Sequence, residues 1–136
     1  MHSIERKIRF ADVDAAGILY YPRFFEFCHN AFEDCFDQRG PFVYSALIRE
    51  HRLGFPTVHA QANFVAPLQH GDVAIIRLHA THIGKSAVTI HYAMLRKRDD
   101  KMCFEGDITT VCMNLDTHKS MALPKPIRDF FAELKS

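Results

Sequence analysis

The chain of 136 residues contains no tryptophan, and its charged residues nearly cancel, leaving a net charge of +1. This balance gives no support for a nucleic acid partner or for an anionic membrane surface. No apolar stretch approaches the roughly 18 residues that a membrane-spanning helix needs, so we expect no membrane partner. Residues 1–9 carry too many charges for a secretory leader. These absences predict a cytoplasmic protein, and the length predicts a single domain over residues 1–136.

The cysteines lack the C-x-x-C spacing of a redox or zinc motif. They are Cys28, Cys35, Cys103 and Cys112. Cys28 and Cys35 fall on the apolar face of a predicted helix, so we expect buried free thiols rather than a disulfide. The strand histidines His79, His82 and His91 have no spacing that defines a metal site, and no metal is predicted.

Phenylalanine is common instead, with 12 residues. Residues 23–36 repeat apolar side chains at the spacing of one helix face. They are Phe24, Phe25, Cys28, Ala31, Phe32, Cys35 and Phe36. Pro22 suits a first helical turn, because its missing N–H would have no intrahelical partner there. Since Gly40-Pro41 is a stop signal, a long helix is predicted between Pro22 and Gly40.

Two carboxylates, Asp12 and Asp14, lie between a strand-like alternation at residues 8–11 and this helix. The N-terminus of a helix presents free backbone N–H groups and a partial positive charge. A carboxylate that faces a carbonyl polarised by those groups favours acyl transfer or hydrolysis. Because aspartate also caps helices and turns, a solvated turn is the alternative interpretation. Gly17, just before the helix, can adopt a positive φ without steric cost.

Downstream, the pattern changes to the two-residue alternation of strands. The predicted strands span residues 57–67, 73–83, 86–97 and 102–115. Short connections between long strands predict an antiparallel sheet, so the pattern alone indicates an α+β protein with one helix on that sheet. The small residues on one face of 57–67 indicate a close approach to the helix, and Gly106 predicts a bulge. We expect an irregular helical turn at residues 42–50 and a short helix at 127–134.

The segment from Asp12 to Pro22 reads D-x-D-x-x-G-x-x-Y-Y-P and resembles the signature of the 4-hydroxybenzoyl-CoA thioesterase family of hotdog-fold acyl-CoA thioesterases. The similarity extends over nearly the whole chain, at residues 56–64, 71–73, 84–86 and 123–125. It implies a hotdog fold, with an antiparallel five-stranded sheet wrapped around one long helix. It also implies an acyl-CoA substrate, no cofactor besides the coenzyme A of that substrate, and a homodimer or homotetramer with sites between subunits.

The resemblance assigns roles to residues of the motif. Asp14 matches the catalytic carboxylate, which either attacks the thioester carbonyl as a nucleophile or activates water as a general base. Asp12 is the weaker candidate, and its expected role is to accept turn or cap hydrogen bonds. Tyr21 matches a position whose backbone N–H polarises the thioester carbonyl.

Three further residues are expected to contact the coenzyme A moiety. Gly17 is expected to let the acyl-pantetheine pass close to the chain, with a plain turn glycine as the alternative. Lys85 and Ser86 match a family segment that meets the pantetheine and phosphates. A cationic side chain at a strand-opening turn suits a nucleotide phosphate, although an ordinary hairpin lysine is the alternative.

The acyl group is expected to lie near the second strand of the chain, against His59, Gln61 and Asn63. His29, in the helix, stands where the 4-hydroxybenzoyl branch has an acidic residue, so the acyl group stays open between a small aromatic and a short-to-medium chain. The predicted function is hydrolysis of such an acyl-CoA. The alternative is a non-hydrolytic acyl-CoA or acyl-carrier-protein binding module on the same fold.

Overall fold

The computed structural model describes residues 1–135, which form three α-helices, one 3₁₀ turn and two sheets. The helical elements are the 3₁₀ turn Phe10–Asp12, α1 Tyr21–Arg39, α2 Tyr44–Arg49 and α3 Lys125–Glu133. The strands are β1 His2–Lys7, β2 Leu53–Gly54, β3 Thr57–Phe64, β4 Val73–Ile83, β5 Ala87–Arg96, β6 Lys101–Val111, β7 Met113–Asn114 and β8 Lys119–Ser120.

The larger sheet has five strands in the order β1-β4-β5-β6-β3, and all neighbouring strands run antiparallel. Alternate residues of the central strands are buried against the helices, as the two-residue period predicted. In β4 and β5 they are Ala74, Ile76, Leu78, Ala80, Val88, Ile90, Tyr92 and Met94. The α+β class and the antiparallel sheet expected from the sequence are therefore confirmed.

A second, smaller sheet was not predicted. It joins β2, β7 and β8, each of two residues, in the order β2-β7-β8. The strand predicted at residues 102–115 is consequently divided, because β6 ends at Val111 and β7 begins at Met113. Strands this short cannot display a two-residue period, so the sequence pattern could not reveal them.

The long helix α1 has Pro22 in its first turn and ends just before Gly40, as predicted. Its buried face consists of Phe24, Phe27, Cys28, Ala31, Phe32, Cys35 and Phe36. Each fully buried phenylalanine contributes about 2 kcal/mol relative to an exposed one. The Phe24 ring stacks on Phe104 of β6 with centroids 5.2 Å apart, and Phe36 meets Phe130 of α3 at 4.5 Å. This aromatic face ties α1 to both the sheet and α3.

Two local predictions need correction. The bulge predicted at Gly106 is wrong, because this residue pairs in regular register with Tyr92 on one side and Ala62 on the other. A β-carbon at position 106 would lie 2.8 Å from the carbonyl oxygen of Gln61, so glycine serves the close approach of β3. Residues 44–49 form a regular helix, α2, rather than an irregular turn. None of the helices in residues 1–135 is long and apolar enough to cross a membrane.

The cysteines are free and buried, which confirms the expectation from their spacing. Burial raises the pKa of the Cys35 thiol to about 11 and that of Cys28 still further. Burial likewise raises the pKa of Cys103 and Cys112. The thiols are therefore held in their neutral form at physiological pH.

The two edges of the large sheet differ in charge. The edge strand β1 carries Glu5, Arg6 and Lys7, the kind of side chains that discourage pairing with another chain. The opposite edge strand β3 contains no Asp, Glu, Lys or Arg, and its residues are exposed apart from the half-buried Ala62. An uncharged, exposed edge of eight residues is open to pairing with a second strand.

Candidate active site

The segment between the 3₁₀ turn and α1 folds into a tight hairpin. Val13 bridges Leu19, and the Asp14 amide donates to the carbonyl oxygen of Ile18 at 3.0 Å. Gly17 closes the turn by donating to the carbonyl oxygen of Asp14 at 3.0 Å, with φ at +79°. Nothing lies within 4 Å of a β-carbon built on Gly17, so backbone conformation rather than space requires glycine here. The expected positive φ is confirmed.

The two carboxylates of the motif lie in different surroundings. Asp12 is buried, accepts a hydrogen bond from the Arg9 amide at 2.8 Å and lies 3.6 Å from the guanidinium of Arg6. Asp14 is exposed, and its Oδ1 accepts a hydrogen bond from the Ala16 amide at 2.9 Å. Its Oδ2 has no hydrogen bond to any group in residues 1–135. Asp12 is thus a structural acceptor, whereas Asp14 presents one unengaged oxygen to solvent.

The first amide of α1 is also unengaged. The Tyr21 N–H donates no hydrogen bond within the described part of the chain, because it precedes the first intrahelical bond and no side chain caps the helix. Pro22 has no N–H to offer. The Tyr21 amide therefore stands alone at the positive end of the helix dipole, where it can bind an oxygen that gains negative charge.

An apolar groove of about 360 Å³ runs along this end of α1. Its walls include Ile18, Tyr21 and Phe24 on the motif side and Phe64 and Val65 at the end of β3. Asp14 pairs through its backbone with Ile18, which is one of the residues that line this groove. The motif thus places the free amide of Tyr21 and the backbone partner of Asp14 at an apolar groove that is open to solvent.

A second cavity, of about 330 Å³, lies deeper between α1 and the inner face of the sheet. Aromatic side chains of Phe25, Phe32 and Tyr92 form much of its wall, and His29 stands at its edge. The His29 ring packs on Phe32 at 6.4 Å, and its Nε2 lies 3.8 Å from a carboxylate oxygen of Glu33. We refer to this space as the helix-side cavity.

The strand residues expected at the acyl pocket face away from the helix-side cavity. Cross-strand pairing sets His59 opposite Thr109, Gln61 opposite Asp107 and Asn63 opposite Glu105. The helix-side cavity is lined instead by Ala60, because alternate residues of a strand point to opposite faces of the sheet. Within one chain, His59, Gln61 and Asn63 therefore lie on the face of the sheet away from the helix-side cavity, and their expected contact with the acyl group stays a prediction.

Gln61 and Asn63 line a polar hollow of about 260 Å³ on the outer face, next to His91, which the sequence pattern marked only as a strand histidine without metal-site spacing. His91 Nδ1 lies 2.9 Å from Asp107 Oδ1. The His79 ring is 5.4 Å away, and burial, followed by the charge of His91, lowers the pKa of His79. Within residues 1–135, no three side chains of His, Cys, Asp or Glu are arranged to hold a metal ion.

The backbone of the turn that carries Lys85 and Ser86 is fixed by hydrogen bonds from the C-terminal part of the chain. Arg128 of α3 donates from Nη2 to the carbonyl oxygens of Gly84 at 2.8 Å and Lys85 at 3.1 Å. The Leu123 amide donates to the same Lys85 carbonyl at 2.9 Å. The Lys85 ammonium itself is exposed and has no hydrogen bond or ion pair in the described chain. Arg128 is a supporting residue that the sequence pattern gave no reason to select.

A second basic cluster, Arg96, Lys97 and Arg98, is paired with carboxylates. Arg96 binds Asp99, Lys97 binds Glu5 and Arg98 binds Asp72, each at 2.8 to 3.0 Å. Those cations are compensated by carboxylates, whereas Lys85 is not. Of the two basic turns, the one at Lys85 is the better placed to attract a phosphate.

Comparison with known proteins decides the family. The model of the thioesterase-like superfamily matches residues 8–131. The chain belongs to this superfamily. It is a thioester hydrolase of the hotdog fold.

Relatives of this thioesterase match it over most of their length. A 1,4-dihydroxy-2-naphthoyl-CoA hydrolase from Picosynechococcus is 31% identical over 128 residues, covering 90% of this chain and 86% of the relative. The crystal structure of a 1,4-dihydroxy-2-naphthoyl-CoA thioesterase from Synechocystis is 26% identical, with a TM-score of 0.88 over 98% of this chain and 96% of that one. A gentisyl-coenzyme A thioesterase structure is 25% identical, with a TM-score of 0.83 over 93% of this chain and 98% of that one.

Proposed function

We propose that this thioesterase hydrolyses a small aromatic acyl-CoA, with Asp14 as the reacting carboxylate and the Tyr21 amide as the donor to the thioester oxygen. The observation that carries the proposal is that both groups are unengaged on the segment that leads into α1, where Tyr21 and the backbone partner of Asp14, Ile18, line an apolar groove. A donor and a carboxylate of this kind are the two parts that acyl transfer needs. No cofactor is required by this chemistry.

Two routes use the same groups. As a nucleophile, Asp14 forms a C–O bond to the thioester carbon, the C–S bond breaks, and water cleaves the resulting anhydride. As a general base, Asp14 takes a proton from water, whose oxygen attacks the carbon, and the proton passes to the departing sulfur. Rapid quenching followed by mass spectrometry separates them, because only the nucleophilic route leaves an acylated Asp14 peptide during turnover.

The helix-side cavity supports an aromatic acyl group. Its volume of about 330 Å³ is near the lower end of the range for small-molecule sites, about 300–1,000 Å³, which fits one or two fused rings better than a long chain. Phe25, Phe32 and Tyr92 offer ring faces and edges for a flat group. The relatives named above are described as acting on naphthoyl and gentisyl thioesters of coenzyme A, which are also aromatic.

The coenzyme A moiety is assigned to the Lys85 turn. The Lys85 ammonium has no internal counterion and projects from a turn whose backbone is fixed by Arg128 and Leu123, so a phosphate meets an unpaired cation on an ordered turn. Ser86 follows on the same turn. Gly17 and the groove beside Tyr21 would accommodate the thioester end of the pantetheine.

The proposal includes a dimer formed through β3. This strand is one open edge of the sheet, it carries no charge, and its exposed apolar residues include Val58 and Phe64. Antiparallel pairing of β3 with its copy would be isologous, as in most dimers. In such a pair the outward-facing His59, Gln61 and Asn63 of the two subunits would lie on one common outer face of the joined sheet.

The test measures thiol release from a panel of acyl-CoA thioesters. We expect wild type to hydrolyse benzoyl-type and naphthoyl-type substrates faster than medium-chain acyl-CoA. The Asp14→Asn variant should lose at least about 100-fold in kcat, while the matched surface variant Asp116→Asn keeps full activity. Full activity in Asp14→Asn would refute the role of this carboxylate. Saturable binding of acyl-CoA without any thiol release would instead favour the non-hydrolytic binding module.

A further inference from the structure

Arg96, the last residue of β5, is buried although the turn that follows it is open to solvent. It is only 9% exposed. Its Nε and Nη2 donate to the two carboxylate oxygens of Asp99 at 3.0 and 2.8 Å, and its Nη1 donates to the carbonyl oxygen of Pro67 at 2.9 Å. Burying a guanidinium is unfavourable unless its charge and its donors are matched. Asp99 matches the charge within the turn, whereas the bond to Pro67 reaches a different segment of the chain.

That segment, residues 67–72, is also held by the next arginine of the turn. Arg98 donates from Nε to Oδ1 of Asp72 at 2.8 Å, and Oδ2 of Asp72 accepts the backbone amide of Gln69 at 2.8 Å. The Asp72 side chain is only 8% exposed, so this carboxylate links the two groups from inside the fold. The charged turn therefore fixes residues 67–72 at Pro67 and again at Gln69. We refer to residues 67–72 as the support segment.

The support segment is the neighbour to which the motif hairpin is hydrogen-bonded. The Leu19 amide donates to the carbonyl oxygen of Leu68 at 2.7 Å, and the His70 amide donates to that of Gly17 at 3.2 Å. Asp14 lies on the other strand of this hairpin, next to the strand that makes these bonds. Hydrogen bonds thus connect the charged turn to the support segment and the support segment to the hairpin that carries Asp14.

We propose that Arg96 is a positioning residue for the reacting carboxylate: by fixing the support segment, it holds the motif hairpin, and with it Asp14, in the geometry that attack on the thioester needs. Arg96 does not line the groove but acts through Pro67, which does. The inference rests on the proposed function, because it takes Asp14 as the reacting group. A misplacement of about 1 Å costs up to about 100-fold in rate, so support at this distance matters for catalysis.

Steady-state kinetics with an aryl-CoA test the role. Arg96→Met keeps an unbranched apolar side chain and removes every donor, and we expect kcat to fall about tenfold because the hairpin loses its support. Lys97→Met is the matched control, since it makes the same substitution at the next residue. The Lys97 ammonium pairs with Glu5 at 2.9 Å and not with the support segment, so kcat should be unchanged. An unchanged kcat in folded Arg96→Met would overturn the inference.

A double-mutant cycle separates positioning from a general structural role. In the Asp14→Asn background, Arg96→Met should lower the remaining rate by less than about twofold, because a displaced carboxamide has no reaction to lose. A residue that only stabilised the fold would lower the rate by the same factor in both backgrounds. Equal factors in the two backgrounds would therefore overturn the inference.

Amide hydrogen exchange follows the hairpin without relying on catalysis. Peptides that cover residues 13–20 and 67–72 should exchange faster in Arg96→Met than in wild type, and at the wild-type rate in Lys97→Met. Arg98→Met supplies a second variant, because Arg98 is 53% exposed and its loss frees Asp72 without emptying a buried site. It should show the same faster exchange and a kcat about threefold lower. Unchanged exchange and kcat in Arg98→Met would overturn the inference even where Arg96→Met does not fold.

The two proposals fail separately. Full activity in Asp14→Asn would refute the reacting role of that carboxylate, even where the exchange data show that Arg96 holds the hairpin. Loss of activity in Asp14→Asn, with unchanged kcat in Arg96→Met and Arg98→Met, would refute the inference and leave the proposed function standing.

Discussion

Arg128 donates a hydrogen bond from Nη2 to the carbonyl oxygen of Lys85 at 3.1 Å, joining the last helix to the turn between β4 and β5. The guanidinium does not neutralise Lys85 but fixes the backbone from which its ammonium projects. Because the backbone is already fixed, only the lysine side chain, and not the turn, loses conformational freedom when a phosphate binds. The terminal helix therefore participates in the proposed coenzyme A site without lining it.

Replacing Arg128 should weaken the use of coenzyme A thioesters. We expect Arg128→Leu to raise KM about fivefold with little change in kcat, because the turn loses its donor while the reacting groups at Asp14 and Tyr21 are untouched. Steady-state kinetics with an aryl-CoA and with the matching N-acetylcysteamine thioester, which has no phosphates, measure this. Lys125→Leu is the control, since Lys125 is exposed and pairs only with Asp129. An equal KM increase for both substrates would contradict the phosphate role of the turn.

Replacing the two aspartates of the motif should lower the free energy of unfolding by different amounts. Asp12→Ala removes a buried acceptor of the Arg9 amide and the neighbour of Arg6, and we expect a loss of about 2 kcal/mol in the free energy of unfolding. Asp14→Ala, at an exposed position, should cost less than about 1 kcal/mol. Urea unfolding followed by circular dichroism gives both values. Equal losses would show that Asp14 also has a structural role.

A charge on the open edge should disrupt assembly. Val58 is 62% exposed on β3, and Val58→Lys would place an ammonium group where a second copy is proposed to pair. We expect light scattering after size exclusion to show a smaller mass for Val58→Lys than for wild type, with a parallel loss of thioesterase activity. Ser3→Lys on the charged β1 edge should change neither. A wild-type protein that is monomeric at all concentrations would contradict the β3 dimer.

The four thiols should not react with a thiol reagent while the protein is folded. Because burial raises the pKa values of all four cysteines, a thiol reagent at pH 8 should not react until denaturant is added, and then all four should react. The raised folded-state pKa values also mean that stability falls as the pH rises above the pKa of the unfolded thiol, about 8.5. Reaction of even one thiol in the native protein would show local opening.

The outer-face histidines should make stability depend on pH. The folded pKa of His79 is lowered by burial, then by the charge of His91 and by the N-terminal amine, and is partly restored by Asp107. The unfolded state therefore binds the proton more readily, so the stability present above about pH 6.5 is lost as the pH falls through the folded pKa. The unfolding temperature should drop less between pH 7.5 and 5.5 in His79→Gln than in wild type. An identical drop in both proteins would place the pH dependence elsewhere.

Long, regular patterns made much of the fold predictable. The helical period of the phenylalanines located α1, and the alternation of the strands located the large sheet, because both elements span enough residues to show their period. The division of β3 into two faces was also visible. The small residues of β3 correctly indicated the face that meets the helix, because Ala60 lines the helix-side cavity. The polar residues expected at the acyl pocket lie on the opposite face, and their contacts with the acyl group stay a prediction.

The site was only partly accessible to sequence reasoning. Asp14, Gly17 and Tyr21 are neighbours in the chain, so one motif places them together. Arg128 reaches the Lys85 turn through a tertiary contact, and no sequence neighbour marks it.

The proposed donor at Tyr21 is a backbone N–H, so most side-chain substitutions at this position leave it in place. Nineteen of the genetically encoded residues would supply the same N–H at that position, so an alanine scan would pass over half of the proposed machinery without a signal. Only proline, or a backbone ester introduced by chemical synthesis, deletes the group. The proposed chemistry therefore does not itself require a tyrosine at this position, and the ring contributes only as part of the groove wall.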